Sequence, residues 1–320
     1  MSGLLTSGLV ALIAGIIIGP LLIPMLRRLK FGQTVRSDGP QTHLIKTGTP
    51  TMGGILIWSA LLVSLAWHHQ LAAELLPFLV VIVGHALLGF ADDYIKAVHK
   101  DPGGLAAKTK LIGQFLLAAL FYWGMLRGGI TDIAIPYTGF SIPLGPLYPL
   151  FTMVYMVFFS NAVNFADGID GLCGGLTLIY STLVLALAWR SGDSSLGLLA
   201  SSLIGSLLAF LAFNLHPARL FMGDTGSLGL GAALAGMALL LHQEIALVGA
   251  GILFLLEILS VILQVSWFKY TRRKYGAGRR IFRMAPFHHH FELLGWSEWR
   301  VVSLFWSVAL FAAVITYLFI

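Results

Sequence analysis

The stretch Gly3-Leu-Leu-Thr-Ser-Gly-Leu-Val-Ala-Leu-Ile-Ala-Gly-Ile-Ile-Ile-Gly-Pro-Leu-Leu-Ile-Pro-Met-Leu26 carries no charge and is closed by Arg27 and Arg28. At about 1.5 Å per residue a helix of this length exceeds the roughly 30 Å hydrocarbon core of a bilayer. The basic residues follow the apolar run instead of preceding it, and no small-residue cleavage site is evident. It therefore reads as a retained first span and not as a cleavable signal peptide.

Nine similar windows follow, near 51–69, 73–91, 109–127, 147–164, 172–190, 196–213, 226–242, 246–268 and 299–319. Of the 320 residues 58% are hydrophobic and 11% charged, with a mean hydropathy of +0.87. An average soluble domain carries about 25% charged residues. The expectation is an all-α polytopic membrane protein of about ten transmembrane helices. Without a linker or an internal repeat, residues 1–320 read as a single integral membrane domain.

Loop charge gives the orientation. With alternating sides, one face collects eighteen of the twenty Lys and Arg residues, and the other receives Arg127 and Arg190. By the positive-inside rule the basic face is cytoplasmic and both termini are extracytoplasmic. The net charge of +6 then describes that face and not a nucleic-acid binder. Residues 128–145 alternate apolar residues with turn formers, the pattern of a short periplasmic hairpin. The single cysteine, Cys173, excludes an internal disulfide and any multi-Cys metal site.

Against this apolar background the polar exceptions stand out. Asn161-Ala-Val-Asn-Phe-Ala-Asp-Gly-Ile-Asp-Gly-Leu-Cys-Gly-Gly175 sets Asn161, Asn164, Asp167 and Asp170 at steps of three. Carboxylates beside hydrocarbon cost several kcal/mol unless hydrated, paired or metal-bound, so the run marks a site. Asp92 and Asp93 in Gly89-Phe-Ala-Asp-Asp-Tyr-Ile-Lys96, and Asp224 in Phe221-Met-Gly-Asp-Thr-Gly-Ser227, fall at the same face on two further spans. Brought together without counter-ions these carboxylates would repel, so a cation or nearby lysines must complete the set. Oxygen-only donors favour Mg²⁺ or Mn²⁺ over zinc.

Lys96 lies one helical turn beyond the Asp pair and can hold either carboxylate ionised. Lys108 can reach back as a phosphate-binding charge, whereas Lys100 and Lys110 read as ordinary positive-inside lysines. In the longest cytoplasmic loop, Pro286-Phe-His-His-His-Phe-Glu292 follows Arg279, Arg280 and Arg283. Adjacent histidines point in different directions and lack partners at ligand spacing, so the loop suits an anionic substrate better than zinc. His85 and Glu257 lie within spans, where an ionisable group is a functional candidate or a packing contact.

Together these motifs, with Lys46-Thr-Gly-Thr-Pro-Thr-Met-Gly-Gly54, resemble the polyprenyl-phosphate N-acetylhexosamine-1-phosphate transferase superfamily over nearly the whole chain. The aspartate motifs fit the superfamily at large. Thr49-Pro-Thr-Met-Gly-Gly54 and the triple histidine look specific to its muramoyl-pentapeptide branch.

The resemblance implies a Mg²⁺-dependent enzyme of the bacterial inner membrane with its active site facing the cytoplasm. It would move phospho-N-acetylmuramoyl-pentapeptide from UDP-N-acetylmuramoyl-pentapeptide to undecaprenyl phosphate, a membrane lipid, releasing UMP. It further implies Asp224 and Asp167 as metal ligands, and Asp92, Asp93, Asp167, Lys96, Lys108, His288 and His289 as catalytic groups. Lys46, Asn164, Asp170, Asn214, Phe221 and His290 would contact substrate, and a homodimer is an expectation of the family. Residue types leave open whether an Asp forms a covalent intermediate or the lipid phosphate attacks directly, and direct attack is favoured. Two rival readings are a related transferase using a UDP-N-acetylglucosamine-like donor and, from a different class, a transporter.

Overall fold

The computed structural model describes residues 2–29, 48–68, 74–101, 103–129, 131–136 and 138–320. The chain is all-α and crosses the membrane many times. Its helices are α1 (Ser2–Arg28), α2 (Gly54–Trp67), α3 (Leu76–Val98), α4 (Ala107–Phe121), α5 (Tyr148–Ala166), α6 (Leu172–Ser191), α7 (Ser194–Asn214), α8 (Gly223–Leu240), α9 (Glu244–Ala250), α10 (Ile252–Tyr275), α11 (Phe287–Glu292) and α12 (Glu298–Phe319). Among the described residues, eight are long and apolar enough to cross a bilayer, α4 counting with its continuation in a wider π-helical turn to Leu126; α2 is a shorter apolar helix, and α8 is buried along most of its length.

Each expected window has a helical counterpart, with one change. The window 246–268 is interrupted at Gly251, which ends the short α9 and begins α10. α10 then runs on to Tyr275, carrying Arg272, Arg273 and Lys274 in its last turn. Basic side chains suit a helix C-terminus, where they complement the exposed carbonyls, so charge alone does not end the helix there. Between α4 and α5, strands β1 (Asp132–Ala134) and β2 (Ser141–Pro143) pair antiparallel, giving the expected hairpin.

The core sits on α7 and α8, whose faces are almost wholly buried, while α1 and α12 turn residues such as Leu9, Ile13, Leu310 and Phe311 outward. Apolar side chains facing outward are what lipid requires. Packing between spans therefore relies on small residues and close backbone approach. On α8 the contacts are extreme. A β carbon on Gly89 of α3 would lie 2.0 Å from the Asp224 carbonyl oxygen, and one on Gly54 of α2 would lie 2.2 Å from the Gly226 nitrogen. These glycines let three backbones meet at the end of the bundle where the acidic motifs lie.

Candidate active site

Four helix termini converge there: the C-terminal turns of α3 and α5 and the N-terminal turns of α4 and α8. The segment before α2 joins them through backbone pairing. Phe221 donates to the Pro50 carbonyl at 2.8 Å, while Gly53 and Gly54 donate to Phe221 and Met222 at 2.7 and 2.9 Å. The Thr-Pro-Thr-Met-Gly-Gly motif thus forms the wall against which Phe221-Met-Gly-Asp is laid.

Asp224 is the hub. Its Oδ1 accepts from Asn164 Nδ2 at 2.9 Å, and its Oδ2 faces Lys110 Nζ at 2.6 Å and Lys96 Nζ at 3.4 Å. Buried Asp92 pairs with Lys96 one turn on and with Lys110 at 3.3 Å, and accepts from the Leu105 backbone at 2.8 Å. Carboxylate oxygens of Asp92, Asp93 and Asp224 lie within 4.8 Å of one another.

Asp93 has a different environment. Its Oδ1 accepts from the Asp224 N–H at 3.1 Å, and its Oδ2 from the Thr225 N–H at 2.9 Å and the Thr225 hydroxyl at 2.7 Å. It satisfies donors that the first turn of α8 cannot pair within the helix. Gly223 has φ +71° and leaves room for this carboxylate, since a β carbon there would lie 2.5 Å from Asp93 Oδ2. The expectation that Asp93 is a catalytic group therefore meets a carboxylate whose two oxygens already take three donors.

Asp167, just past the end of α5, takes a backbone hydrogen bond from Gly223. Burial, with the charges of Asp224 and Asp93 adding to it, pushes its carboxyl up to about 8. Asn164 bridges Asp224 and Ser227, donating to both at 2.9 Å. Asn161 turns away to Gln114 at 2.9 Å, and Gln114 continues to Ser160 at 3.3 Å, a polar brace linking α4 and α5.

Other expected contacts resolve differently. Lys110, read as an ordinary surface lysine, is the residue of α4 that reaches the carboxylates, and Lys108 is exposed. A signal for this was present. Lys110 and buried Gln114 are four residues apart and share one helix face, and a buried glutamine in an apolar helix marks the interior side.

Asp170 and Asn214, expected at the substrate, have partners within the fold. Asp170 accepts from His216 Nδ1 and the Ala218 N–H at 3.0 Å each. Asn214 accepts from the Gly171 N–H at 3.0 Å and donates to the Leu220 carbonyl at 2.9 Å. Both brace the turn holding Asp167 against the α7–α8 loop. Lys46 lies outside the described residues.

The three histidines diverge as adjacent helix positions must. His288 is buried against Glu257, His289 Nδ1 lies 2.7 Å from Glu292, and His290 accepts from the Arg283 N–H at 3.1 Å while stacking on Phe287.

Paired cations among clustered carboxylates, at the mouth of a membrane bundle, form a place where phosphate charge can be exchanged between partners. A model of glycosyl transferase family 4 matches residues 75–242, the stretch that carries Asp92, Asp93, Asp167 and Asp224. The phospho-N-acetylmuramoyl-pentapeptide-transferases of Shouchella clausii, Halalkalibacterium halodurans and Bacillus subtilis are 48%, 47% and 46% identical to the chain. The alignments span 94%, 98% and 96% of this chain and 92%, 96% and 94% of those proteins. With the family model spanning the acidic site and these relatives matching it nearly end to end, the chain belongs to glycosyl transferase family 4, on its phospho-N-acetylmuramoyl-pentapeptide transferase branch.

Proposed function

We propose that this chain transfers phospho-N-acetylmuramoyl-pentapeptide from its UDP carrier to undecaprenyl phosphate, giving the lipid-linked sugar and UMP. The observation that carries the reading is the junction of Asp92, Asp224, Lys96 and Lys110 in a chain nearly half identical to transferases of that name. Phosphoryl transfer asks a protein chiefly to neutralise charge and to align two phosphates. Lys96 is partly exposed while its partner Asp92 is buried. It can therefore swing from carboxylate to phosphate without stranding Asp92, which keeps Lys110 and the Leu105 N–H.

Three carboxylates with oxygen donors this close fit a hard divalent cation. Asp92 and Asp224 would hold it, with Asp93 and Asp167 beside them, and when bound Mg²⁺ supplies charge neutralisation on the diphosphate. Asn164 fixes the orientation of Asp224, and Asp93 fixes the α8 terminus that presents it. A site at helix ends on the basic face serves both reactants, because the nucleotide comes from water and the polyprenyl phosphate from the bilayer. In this reading that face is the cytoplasmic side of the bacterial inner membrane.

The test is UMP release by purified protein given undecaprenyl phosphate and Mg²⁺, with either the muramoyl-pentapeptide or the N-acetylglucosamine nucleotide as donor. Turnover of the first is expected. Turnover of only the second would assign the chain to the rival donor, and uptake into proteoliposomes without UMP would favour a transporter.

A pH dependence follows from Asp167. A proton holds its carboxyl below about 8, and it must leave before a cation can draw on that group. The Mg²⁺ concentration giving half-maximal rate should fall as pH rises toward that value, by up to about tenfold per pH unit. A half-saturating concentration independent of pH would remove Asp167 from the surroundings of the metal.

A further inference from the structure

Glu257 in α10 is fully buried, and so is His288 in α11. The Glu257 Oε2 accepts from the Phe287 N–H at 2.8 Å and lies 3.1 Å from His288 Nδ1, while Oε1 accepts from the His288 N–H at 3.2 Å. The two backbone N–H groups donate to the two Glu257 oxygens, and an ionised carboxylate has no proton of its own to give. The ring nitrogen facing them is then the donor, and in neutral imidazole the proton on Nδ1 leaves Nε2 bare.

That second nitrogen is buried and has no hydrogen-bond partner among the described residues. Buried polar atoms are rarely left so. It points at the turn between α5 and α6, where a β carbon on Gly168 would lie 2.1 Å from Nε2. Gly168 directly follows Asp167, so the bare nitrogen is packed against the turn that carries one of the acidic residues.

We propose that Glu257 is the positioning residue for His288. It docks the histidine helix, fixes the Nδ1–H tautomer, and turns Nε2 as an acceptor toward an O–H or N–H group of the bound nucleotide sugar. The last element rests on the transferase reading, whereas the tautomer and the docking do not. One buried carboxylate accepts three charge-assisted hydrogen bonds, two from the start of α11 and one from the ring, which fix the helix and the imidazole together; for metal-bound histidines, removing such an orienting partner typically lowers activity by about 10- to 100-fold.

The experiment has two arms on the full-length protein. In the first, ¹⁵N-histidine spectra identify His288 by its loss in His288→Asn, a variant whose amide can still donate to Glu257. A proton on Nδ1 with an unprotonated Nε2 is expected, and a proton on Nε2 would overturn the proposal.

In the second arm, Glu257→Gln sets an amide against one of three donors. It should lower kcat for UMP release by about 10- to 100-fold, leave KM for the nucleotide sugar within about twofold, and add little to His288→Asn. An unchanged kcat, or losses that multiply in the double variant, would show that Glu257 does not act through His288. If Glu257→Gln fails to fold, the wild-type tautomer decides. If the wild type releases no UMP, the transferase reading fails and the tautomer still tests the docking.

Discussion

Asp224→Asn is expected to lower kcat for UMP release by about 10³-fold, roughly 4 kcal/mol of barrier. The substitution is nearly isosteric, so its effect is chemical. Oδ1 and Oδ2 together receive Asn164, Lys96 and Lys110, all of them donors. An amide can accept on one side only, so either orientation presses its NH₂ against a donor. The lost charge also leaves two ammonium groups to Asp92 alone, and they would hold incoming phosphate as a static ion pair. The fold should survive, because Asp92 keeps both lysines and Asp93 still caps α8. Kinetics across a Mg²⁺ titration decide the matter, and a rate near wild type at saturating metal would discard Asp224 as the hub.

Gly89→Ala should be nearly as damaging by a different route. The added methyl carbon would lie 2.0 Å from the Asp224 carbonyl oxygen and 2.6 Å from the Thr225 nitrogen. These are backbone atoms and cannot rotate aside, so α3 and α8 must separate. Overpacking of this kind costs about 1–3 kcal/mol. The displacement falls where Asp93 takes its hydrogen bonds from Asp224 and Thr225, and a misplacement of about 1 Å can cost roughly 100-fold in rate. A lowered thermal midpoint in detergent together with a loss of about 100-fold in kcat is expected. An unchanged midpoint with unchanged kcat would show that the two helices do not meet as described.

Much of this architecture is legible in the chain itself. The spans announce themselves by length and lack of charge, and the aspartate motifs by their cost in such surroundings. The rest is hidden for physical reasons. The break at Gly251 lies inside uniformly apolar sequence, where hydropathy carries no signal for a change of direction. Lys110 looks like any other basic residue on a basic face, and only its register with Gln114 tells it apart. Asp170 and Asn214 have the composition of ligand-binding residues, yet the Ala218 and Gly171 N–H groups they accept from lie more than forty residues away in sequence. No local pattern records such a pairing. For Glu257 a place inside a span suits function and packing alike, and the groups it pairs with lie thirty positions later.

The close approach of α2, α3 and α8 bears on inhibition and escape from it. An inhibitor anchored on Asp224 and the neighbouring backbone would rest on a surface supported by Gly54, Gly89 and Gly226, where the close backbone contacts leave no room for a side chain. The target could scarcely redraw that floor by substitution without losing its own fold. Resistance would be pushed outward, into the exposed arginines of the loop after α10 and the segment between α3 and α4, where side chains can change at little structural cost.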